Sequence, residues 1–206
     1  MDNEARIHEQ ISFYRQIAGE YDQQVYDEQH WEHMANAVLE DSPHVATCLE
    51  LASGTGLWTQ RLLEYADAIT AVDSSPEMHA ISAVRVSDSR VSRLTADVFN
   101  FELSESYDLV FAAFWLSHIP MERFDAFWVQ VATYLKPNGR VLFVDSYSSG
   151  PGGGGSTRQL PDGREFNIVK VNHNLVELGE RLGRLGWDAQ VKPVTDNVYS
   201  LSGKLI

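Results

Sequence analysis

The chain has 206 residues, a formal net charge of −13 at pH 7 and 44% hydrophobic residues. This length predicts one domain. An acidic chain without a lysine or arginine cluster is unsuited to bind nucleic acid or anionic membranes, so we expect a small-molecule substrate. No apolar run reaches the roughly 20 residues of a membrane span, and the polar start "MDNEARIHEQ" is unlike a secretory signal, so we expect a cytoplasmic protein.

Helices come first in the predicted order, after which strands and helices alternate. Apolar and aromatic residues recur at three-to-four spacing through residues 3–40, which predicts a helical cap at 1–42. A core at 43–146 follows, with the strand "VATCLEL", a helix from about Leu57, the strand "AITAVD", a helix from about Pro76, the strands "VSRLTAD" and "YDLVFAAF", the helix "RFDAFWVQVATYL", the turn "KPNG" and the strand "RVLFVDS". Alternating strands and helices predict parallel βαβ units, and strands this apolar indicate a sheet covered on both faces. The expected fold is α/β, doubly wound and Rossmann-like.

The remaining residues, 147–206, predict a substrate-side segment and terminal strands. Gly150 to Thr157 is flexible by composition and reads as a lid, a passive connector or an engineered linker. The strand "FNIVKV" follows, then the helix "NLVELGERLGRLG", capped by Asn172 or Asn174 and closed by Gly186. The stretch "DAQVKPVTDNVYSLSGKL" predicts two antiparallel strands.

The first strand of the core holds Cys48, the only cysteine of the chain. A single cysteine excludes an internal disulfide and suits a reducing compartment. Its apolar neighbours favour a buried core cysteine over a thiol nucleophile.

The stretch "ELASGTG", residues 50–56, lies where that strand gives way to a helix. Gly54 and Gly56 allow a tight turn and a close approach of the backbone to a ligand. Asp73 and Asp97 end the next two strands, where one carboxylate suits ribose hydroxyls and the other an adenine amino group. The alternative is an ordinary turn with two surface acids.

The residues around the loop favour a nucleoside without phosphate. Ala52 stands where a dinucleotide-binding loop has its first glycine, and Glu50 lies just ahead of it. A carboxylate there repels a diphosphate and attracts an ammonium group. S-adenosylmethionine therefore fits better than NAD. Binding of NAD would instead indicate an oxidoreductase.

The segments "LELASGTG", "AVDSSPEM", "ADVF" and "LKPNG" together resemble the class I S-adenosylmethionine-dependent methyltransferases. The resemblance implies a seven-stranded sheet with its last strand inserted antiparallel, no metal, and S-adenosylhomocysteine as product. The cofactor contacts expected are Glu50, Ala52, Ser53, Gly54, Gly56, Trp58, Asp73, Ser74, Met78, Asp97, Val98, Phe99, Ala113 and Phe114.

Further segments, "ELASGTGLWT", "FWLSHIPMERFDAFW" and "LPDGREFNIVKV", are similar to the group formed by the phosphonate O-methyltransferase of dehydrophos biosynthesis and its bacterial relatives. The glycine-filled loop before Arg158 departs from that group. The resemblance favours O-methylation of a phosphonate or carboxylate, which is already anionic at pH 7 and needs cations to position it. The substrate contacts expected are Tyr26, Arg15, Trp115, Arg158 and Lys170; for each cation the alternative is a solvated side chain.

His118 follows the fourth strand, and Tyr14 and Tyr21 share a face of the N-terminal helical region. We expect these three to be catalytic; the alternatives are a packing histidine and an aromatic core stripe. His30 and His33 lack a third metal ligand. A small-molecule N-methyltransferase or phenol O-methyltransferase with His118 as base stays open, as does a non-catalytic S-adenosylmethionine-binding module. We expect a monomer or a homodimer.

Overall fold

The computed structural model describes residues 3–25, 28–148 and 156–206. The helices are α1 (Asn3–Gln16), α2 (Tyr21–Val25), α3 (Glu28–Leu39), α4 (Leu57–Leu62), α5 (Pro76–Arg85), α6 (Phe124–Thr133) and α7 (Leu175–Arg184), with a 3₁₀ helix at Leu116–His118. The strands are β1 (Val45–Leu51), β2 (Ala66–Asp73), β3 (Val91–Thr95), β4 (Tyr107–Ala113), β5 (Leu135–Ser146), β6 (Ser156–Gln159), β7 (Glu165–Ile168), β8 (Trp187–Pro193) and β9 (Val198–Leu205).

Seven strands form one sheet in the order β3-β2-β1-β4-β5-β9-β8. The strands β1 to β5 run parallel, and β9 lies antiparallel between β5 and β8. The predicted doubly wound sheet with an inserted antiparallel strand is confirmed. Because the chain order reverses between β1 and β4, the carboxyl ends of these strands open a crevice where such sheets bind ligands.

Apolar side chains cover both faces of the sheet, as the apolar strands predicted. On one face, Trp128 of α6 packs against Phe143 of β5 and Trp187 of β8. On the other face, Trp58 of α4 packs between Trp31 of α3 and Phe111 of β4. Burying an aromatic or large aliphatic side chain stabilises a fold by about 1.5–3 kcal/mol, so these layers fix the sheet on which the crevice is built.

Local signals set the ends of the helices that flank the crevice. The Ser75 hydroxyl accepts a hydrogen bond from the Met78 backbone N–H and starts α5. Asn174, one of the two predicted caps, accepts from the backbone of Val176 and Glu177 at the start of α7. Gly186, with φ +86, follows the last turn of α7 as predicted.

The N-terminal helical prediction was correct in type but too continuous. The chain leaves α1 after Gln16 and begins α2 at Tyr21, and the interval before α3 lies outside the described residues. In the described part of the chain, no helix has the length and apolar character that a membrane crossing requires.

A small hairpin off the main sheet was not predicted. The strand β6 pairs antiparallel with β7, and it includes Ser156 and Thr157, which the glycine-rich loop was expected to contain. The rest of that loop lies outside the described residues. The predicted strand "FNIVKV" is shorter than expected, since β7 ends at Ile168.

The hairpin packs on α1. From here on, the word cap means α1 together with β6 and β7, which is a different set of residues from the predicted helical cap at 1–42. Phe13 and Ile17 of the N-terminal region bury against Leu160 and Ile168. The Glu9 carboxylate accepts hydrogen bonds from the backbone and side chain of Asn167, at 2.6 and 3.2 Å. Two segments far apart in sequence thus form one layer over the carboxyl ends of the strands.

Candidate active site

A cleft with about 670 Å³ of unfilled space lies between the cap and the carboxyl ends of β1, β2 and β4. Its lining residues are Gln10, Ile11, Tyr14, Tyr21, Ala52, Gly54, Asp73, Ser74, Ser75, Met78, Asp97, Val98, Ala113, Phe114, Trp115 and His118. Most of the predicted cofactor residues therefore meet at one place.

The glycine loop turns under this cleft through left-handed backbone conformations. Ala52 has φ +52 and Gly54 has φ +54. A Cβ built on Gly54 would have no atom within 4 Å, so its open side faces free space. For Ala52, which has a Cβ, this conformation costs about 1–3 kcal/mol, a strain that clusters at functional sites. Phe114, at the end of β4, shows the same feature with φ +54.

Asp73 braces the loop and still presents a carboxylate to the cleft. One of its oxygens accepts from the Gly54 backbone N–H and the other from the Ser75 backbone N–H, both at 2.8 Å. Burial raises the pKa of Asp73, and these backbone donors lower it. Each carboxylate oxygen has a further lone pair with which it can accept from a ligand hydroxyl.

The hydrogen bonds of His118 fix which of its ring nitrogens carries the proton at one end of the cleft. Its Nδ1 lies 2.7 Å from the Val169 carbonyl oxygen, which can only accept, so Nδ1 carries the proton. The bare Nε2 then accepts from the Tyr14 hydroxyl at 3.2 Å. Burial, followed by the charge of Lys170, lowers the pKa of His118 to about 4, and burial raises the pKa of Tyr14 to about 12. Both groups are neutral at pH 7.

Lys170 lies next to this end, in the segment that follows β7. Its Nζ donates to the hydroxyl oxygens of Ser117 and Ser146, each at 2.8 Å. Burial lowers the pKa of the ammonium group, Asp145 raises it and Arg158 lowers it. Lys170 thus places a positive charge beside His118, although its side chain does not line the cleft.

Several predicted site residues lie elsewhere than expected. Trp58 is a core residue because its ring is held between Trp31 and Phe111. Arg15 does not line the cleft, and its guanidinium donates two hydrogen bonds to the Glu77 carboxylate at 2.9 and 3.0 Å. Each of these side chains is already held by other contacts, so their roles at the cofactor and at the substrate stay predictions.

Other predicted residues stand behind the cleft rather than in its wall. Glu50 bonds to the Thr59 hydroxyl at 2.6 Å, and Arg158 is exposed on β6 with its guanidinium on the Ser156 hydroxyl. Ser53, Gly56 and Phe99 are also absent from the lining. Tyr26 lies outside the described residues. The individual roles proposed for all of these side chains stay predictions.

Three lining residues were not predicted. Gln10 and Ile11 belong to α1, and Gln10 lies one helical turn before Tyr14, so the spacing of Tyr14 and Tyr21 could have pointed to it. Ser75 lines the cleft beside the predicted Ser74.

The residues present fit S-adenosylmethionine. Gly54 leaves room beside the backbone, Asp73 offers acceptors for hydroxyl groups, and Met78 and Val98 give apolar surface for a base. The buried Trp115 Nε1 and Ser53 Oγ have no hydrogen-bond partner within the described chain. Among the described residues, no group of three histidine, cysteine or acidic side chains is arranged to hold a metal ion.

Comparisons with known proteins agree with this geometry. A family described as "Methyltransferase domain" matches residues 48–139. The DhpI complex with S-adenosylhomocysteine is 37% identical, with a TM-score of 0.89 and 98% of each chain covered. A DhpI complex with S-adenosylmethionine and HEP is also 37% identical, with a TM-score of 0.88, covering 97% of this chain and 98% of that chain.

A curated relative shares only part of the chain. The malonyl-[acyl-carrier protein] O-methyltransferase of Priestia megaterium (strain DSM 319 / IMG 1521) is 32% identical over 100 residues, which are 46% of this chain and 35% of that protein. The match thus spans about a third of that relative's length.

Proposed function

This chain belongs to the class I S-adenosylmethionine-dependent methyltransferases, and on that premise we propose that it methylates an oxygen atom of a small anionic acid, a phosphonate or a carboxylate. When bound, S-adenosylmethionine supplies an electrophilic methyl group on a positively charged sulfur. The protein's own task is to hold the acid oxygen in line with that methyl group and to keep water away. The observation that carries the proposal is the partly buried Lys170 ammonium beside His118.

The ammonium of Lys170 lacks a direct counter-charge. Its two hydrogen bonds go to neutral hydroxyl groups, and it forms no ion pair with a carboxylate of the described residues. Removing a charge from water without a partner costs free energy, and an anionic ligand would offset that cost. A chain with 16 basic and 29 acidic residues gains little by burying a cation unless the cation has a function.

The state of His118 favours an acid over an amine or a phenol. An amine or phenol loses a proton on methylation, so it needs a base or must bind deprotonated. With a pKa of about 4 and its Nε2 occupied by the Tyr14 hydroxyl, His118 is a weak base. An ionised acid needs no base: its oxygen forms the bond to carbon, and the sulfur keeps the electron pair of the bond that breaks.

Similarity in sequence supports oxygen as the acceptor. The resemblance to phosphonate O-methyltransferases lies in segments that include His118 and Lys170. The Priestia megaterium relative, by its name, is an O-methyltransferase.

A substrate screen tests the proposal. Purified protein and S-adenosylmethionine are mixed with pooled phosphonates, carboxylates, amines and phenols, and mass spectrometry detects the gain of one methylene unit. We expect a methylated acid. Lys170→Ala should lower kcat/KM for that acid by about 10- to 100-fold, the effect of losing a charged hydrogen bond, whereas the exposed Lys192→Ala should not.

The same assay compares the contribution of Arg158 to kcat/KM with the contributions of Lys170 and Arg164. Arg158→Ala should lower kcat/KM less than Lys170→Ala, because its guanidinium is exposed and acts through its charge. Arg164→Ala, in the same hairpin and paired with Asp162, is the matched control.

The pH dependence gives a second criterion. Because His118 and Tyr14 stay neutral from about pH 5 to pH 8, kcat/KM for a carboxylate substrate should be level across that range. A methylated amine or phenol, with a rate that rises through the histidine range and levels off in His118→Ala, would contradict the acid proposal.

A further inference from the structure

Lys170 is held by a network whose members come from three separate segments. Ser117 belongs to the 3₁₀ helix after β4, Ser146 ends β5, and Lys170 follows β7. The two serine hydroxyl oxygens each accept one N–H of the ammonium at 2.8 Å. A lysine ammonium has three N–H donors, so one remains for a ligand.

Asp145 fixes both serines from behind. It is fully buried, and one carboxylate oxygen accepts the Ser117 backbone N–H while the other accepts the Ser146 backbone N–H, both at 2.7 Å. The Val171 backbone N–H donates to the Ser117 carbonyl oxygen at 2.7 Å and ties the lysine segment to the same serine. The positions of both hydroxyl groups relative to Lys170 are therefore set by the backbone.

The hydrogen bonds of Ser146 have one direction. Its hydroxyl lies 3.3 Å from Asp145 Oδ1, and a carboxylate can only accept, so the serine donates to Asp145 and accepts from Lys170. The Lys170 ammonium thus donates to the Ser146 hydroxyl, which in turn donates to the buried Asp145 carboxylate. Asp145 thereby stabilises the positive charge without occupying the N–H that an acid would need.

From these contacts we infer that Ser117, Ser146 and Asp145 are positioning residues that leave Lys170 a single N–H for one oxygen of the substrate acid. The inference rests on the proposed function. Its chemical consequence is specific: a bidentate cation would engage two acid oxygens, whereas one N–H engages one. A second acid oxygen then keeps its lone pairs for bond formation with the methyl carbon.

The test uses Ser117→Ala and Ser146→Ala in the full chain, with the methylated acid from the screen as substrate. Each variant should raise KM for the acid by about tenfold, as expected for loss of a charged hydrogen bond that fixes the lysine. The Kd for S-adenosylhomocysteine should stay within about twofold of the parent value. Ser92→Ala, on the exposed side of β3, is the control, and Ser146→Thr should restore most of the parent KM because it keeps a hydroxyl.

A pH profile separates positioning from a structural role. Anion binding needs the protonated lysine, so kcat/KM falls as the pH rises through the pKa of Lys170. The serine hydroxyls stabilise the ammonium form; removing either should move this fall to lower pH. The other charged or titratable groups that act on Lys170 or on its neighbouring histidines are unchanged in these variants; they are Tyr14, His118, Asp145, Arg158, His173 and Arg181.

The outcomes distinguish this inference from the proposed function. Suppose that Lys170→Ala loses turnover while both serine variants keep the parental KM and pH profile. That result would overturn the positioning role of the serines and leave the acid proposal standing. Unchanged turnover in Lys170→Ala would overturn the acid proposal itself. If Ser117→Ala does not fold, Ser146→Ala and its threonine counterpart decide the question, since Ser146 is only partly buried.

Discussion

Glu50, at the end of β1, has a carboxyl group that the fold keeps away from water. Burial raises its pKa to about 8, a hydrogen bond from the Thr59 hydroxyl and the charge of Arg93 lower it, and Asp73 raises it. In the protein without ligand, Glu50 therefore carries a proton at pH 7. A nearby ammonium group would favour the ionised form, as predicted for the methionine part of the cofactor.

The pH dependence of stability should report this buried acid. The folded pKa of Glu50 lies above the unfolded value of 4.5, so the folded state binds the proton more tightly. Its contribution to stability is complete below about pH 4.5 and is lost as the pH rises through about 8. Glu50→Gln cannot ionise, so without ligand it should be more stable than the parent at about pH 9, by at most about 4 kcal/mol, and close to it at about pH 5.

Urea unfolding at the two pH values measures the difference. Exposed Glu105→Gln is the control and should follow the parent at both. A Glu50→Gln variant that is less stable than the parent at high pH would show that this carboxylate is ionised and well paired in the folded protein.

At the scale of elements, two glycines of one loop have different tasks. Gly54 lines the cleft, and a Cβ there would meet no atom within 4 Å. A Cβ on Gly56 would lie 2.6 Å from the Ser82 hydroxyl and 3.2 Å from the Ser82 Cα. Gly56 therefore allows the start of α4 to approach α5, whereas Gly54 keeps space open for a ligand.

Alanine at the two positions should separate stability from cofactor binding. Gly56→Ala combines φ +82 with a collision against the Ser82 hydroxyl and should lower the free energy of unfolding by about 2–4 kcal/mol. Gly54→Ala meets only the backbone strain at φ +54, about 1 kcal/mol, but should weaken S-adenosylmethionine binding by about tenfold or more. Urea unfolding and titration calorimetry measure the two effects.

Gly19→Ala is the control, because Gly19 has neither a positive φ nor an atom within 4 Å of a built Cβ. Equal losses of stability and of affinity in the Gly54 and Gly56 variants would contradict this division of tasks.

The elements that the sequence predicted well are those with local signals. The apolar strands, the Asn174 cap and Gly186 each indicate their structure without reference to the rest of the chain. The strand β6 has no such signal: "STRQ" is short and polar, and it is a strand because β7 pairs with it and α1 packs on the hairpin. Tertiary contacts decide its conformation.

The same distinction holds for the site in the whole molecule. Asp73 ends β2 and Asp97 lies two residues after β3, so their meeting at the cleft follows from the parallel order of the sheet. The partners of Lys170 come from segments separated by tens of residues, and only the assembled fold brings them within hydrogen-bond distance. Arg15 shows the converse case, since the sequence does not reveal that its guanidinium pairs with Glu77.

The cap joins two segments that are far apart in sequence over one cleft, so its two parts should respond to ligand together. Tyr14 and Gln10 of α1 line the cleft, and the Gln10 amide oxygen accepts the Val169 backbone N–H at 3.1 Å, just beyond β7. A ligand that contacts α1 therefore stabilises the hairpin through this bond and through Glu9.

We expect S-adenosylhomocysteine to slow amide hydrogen exchange in α1 and β7 in parallel, by about tenfold at saturation, with little change in α7. Exchange measured by mass spectrometry with and without the ligand tests this. Glu9→Ala removes both bonds to Asn167 and should reduce the added protection of β7 while leaving that of α1, whereas the exposed His8→Ala should not. Protection confined to the glycine loop and the start of α5 would contradict the expectation, because ligand binding would then be independent of the cap.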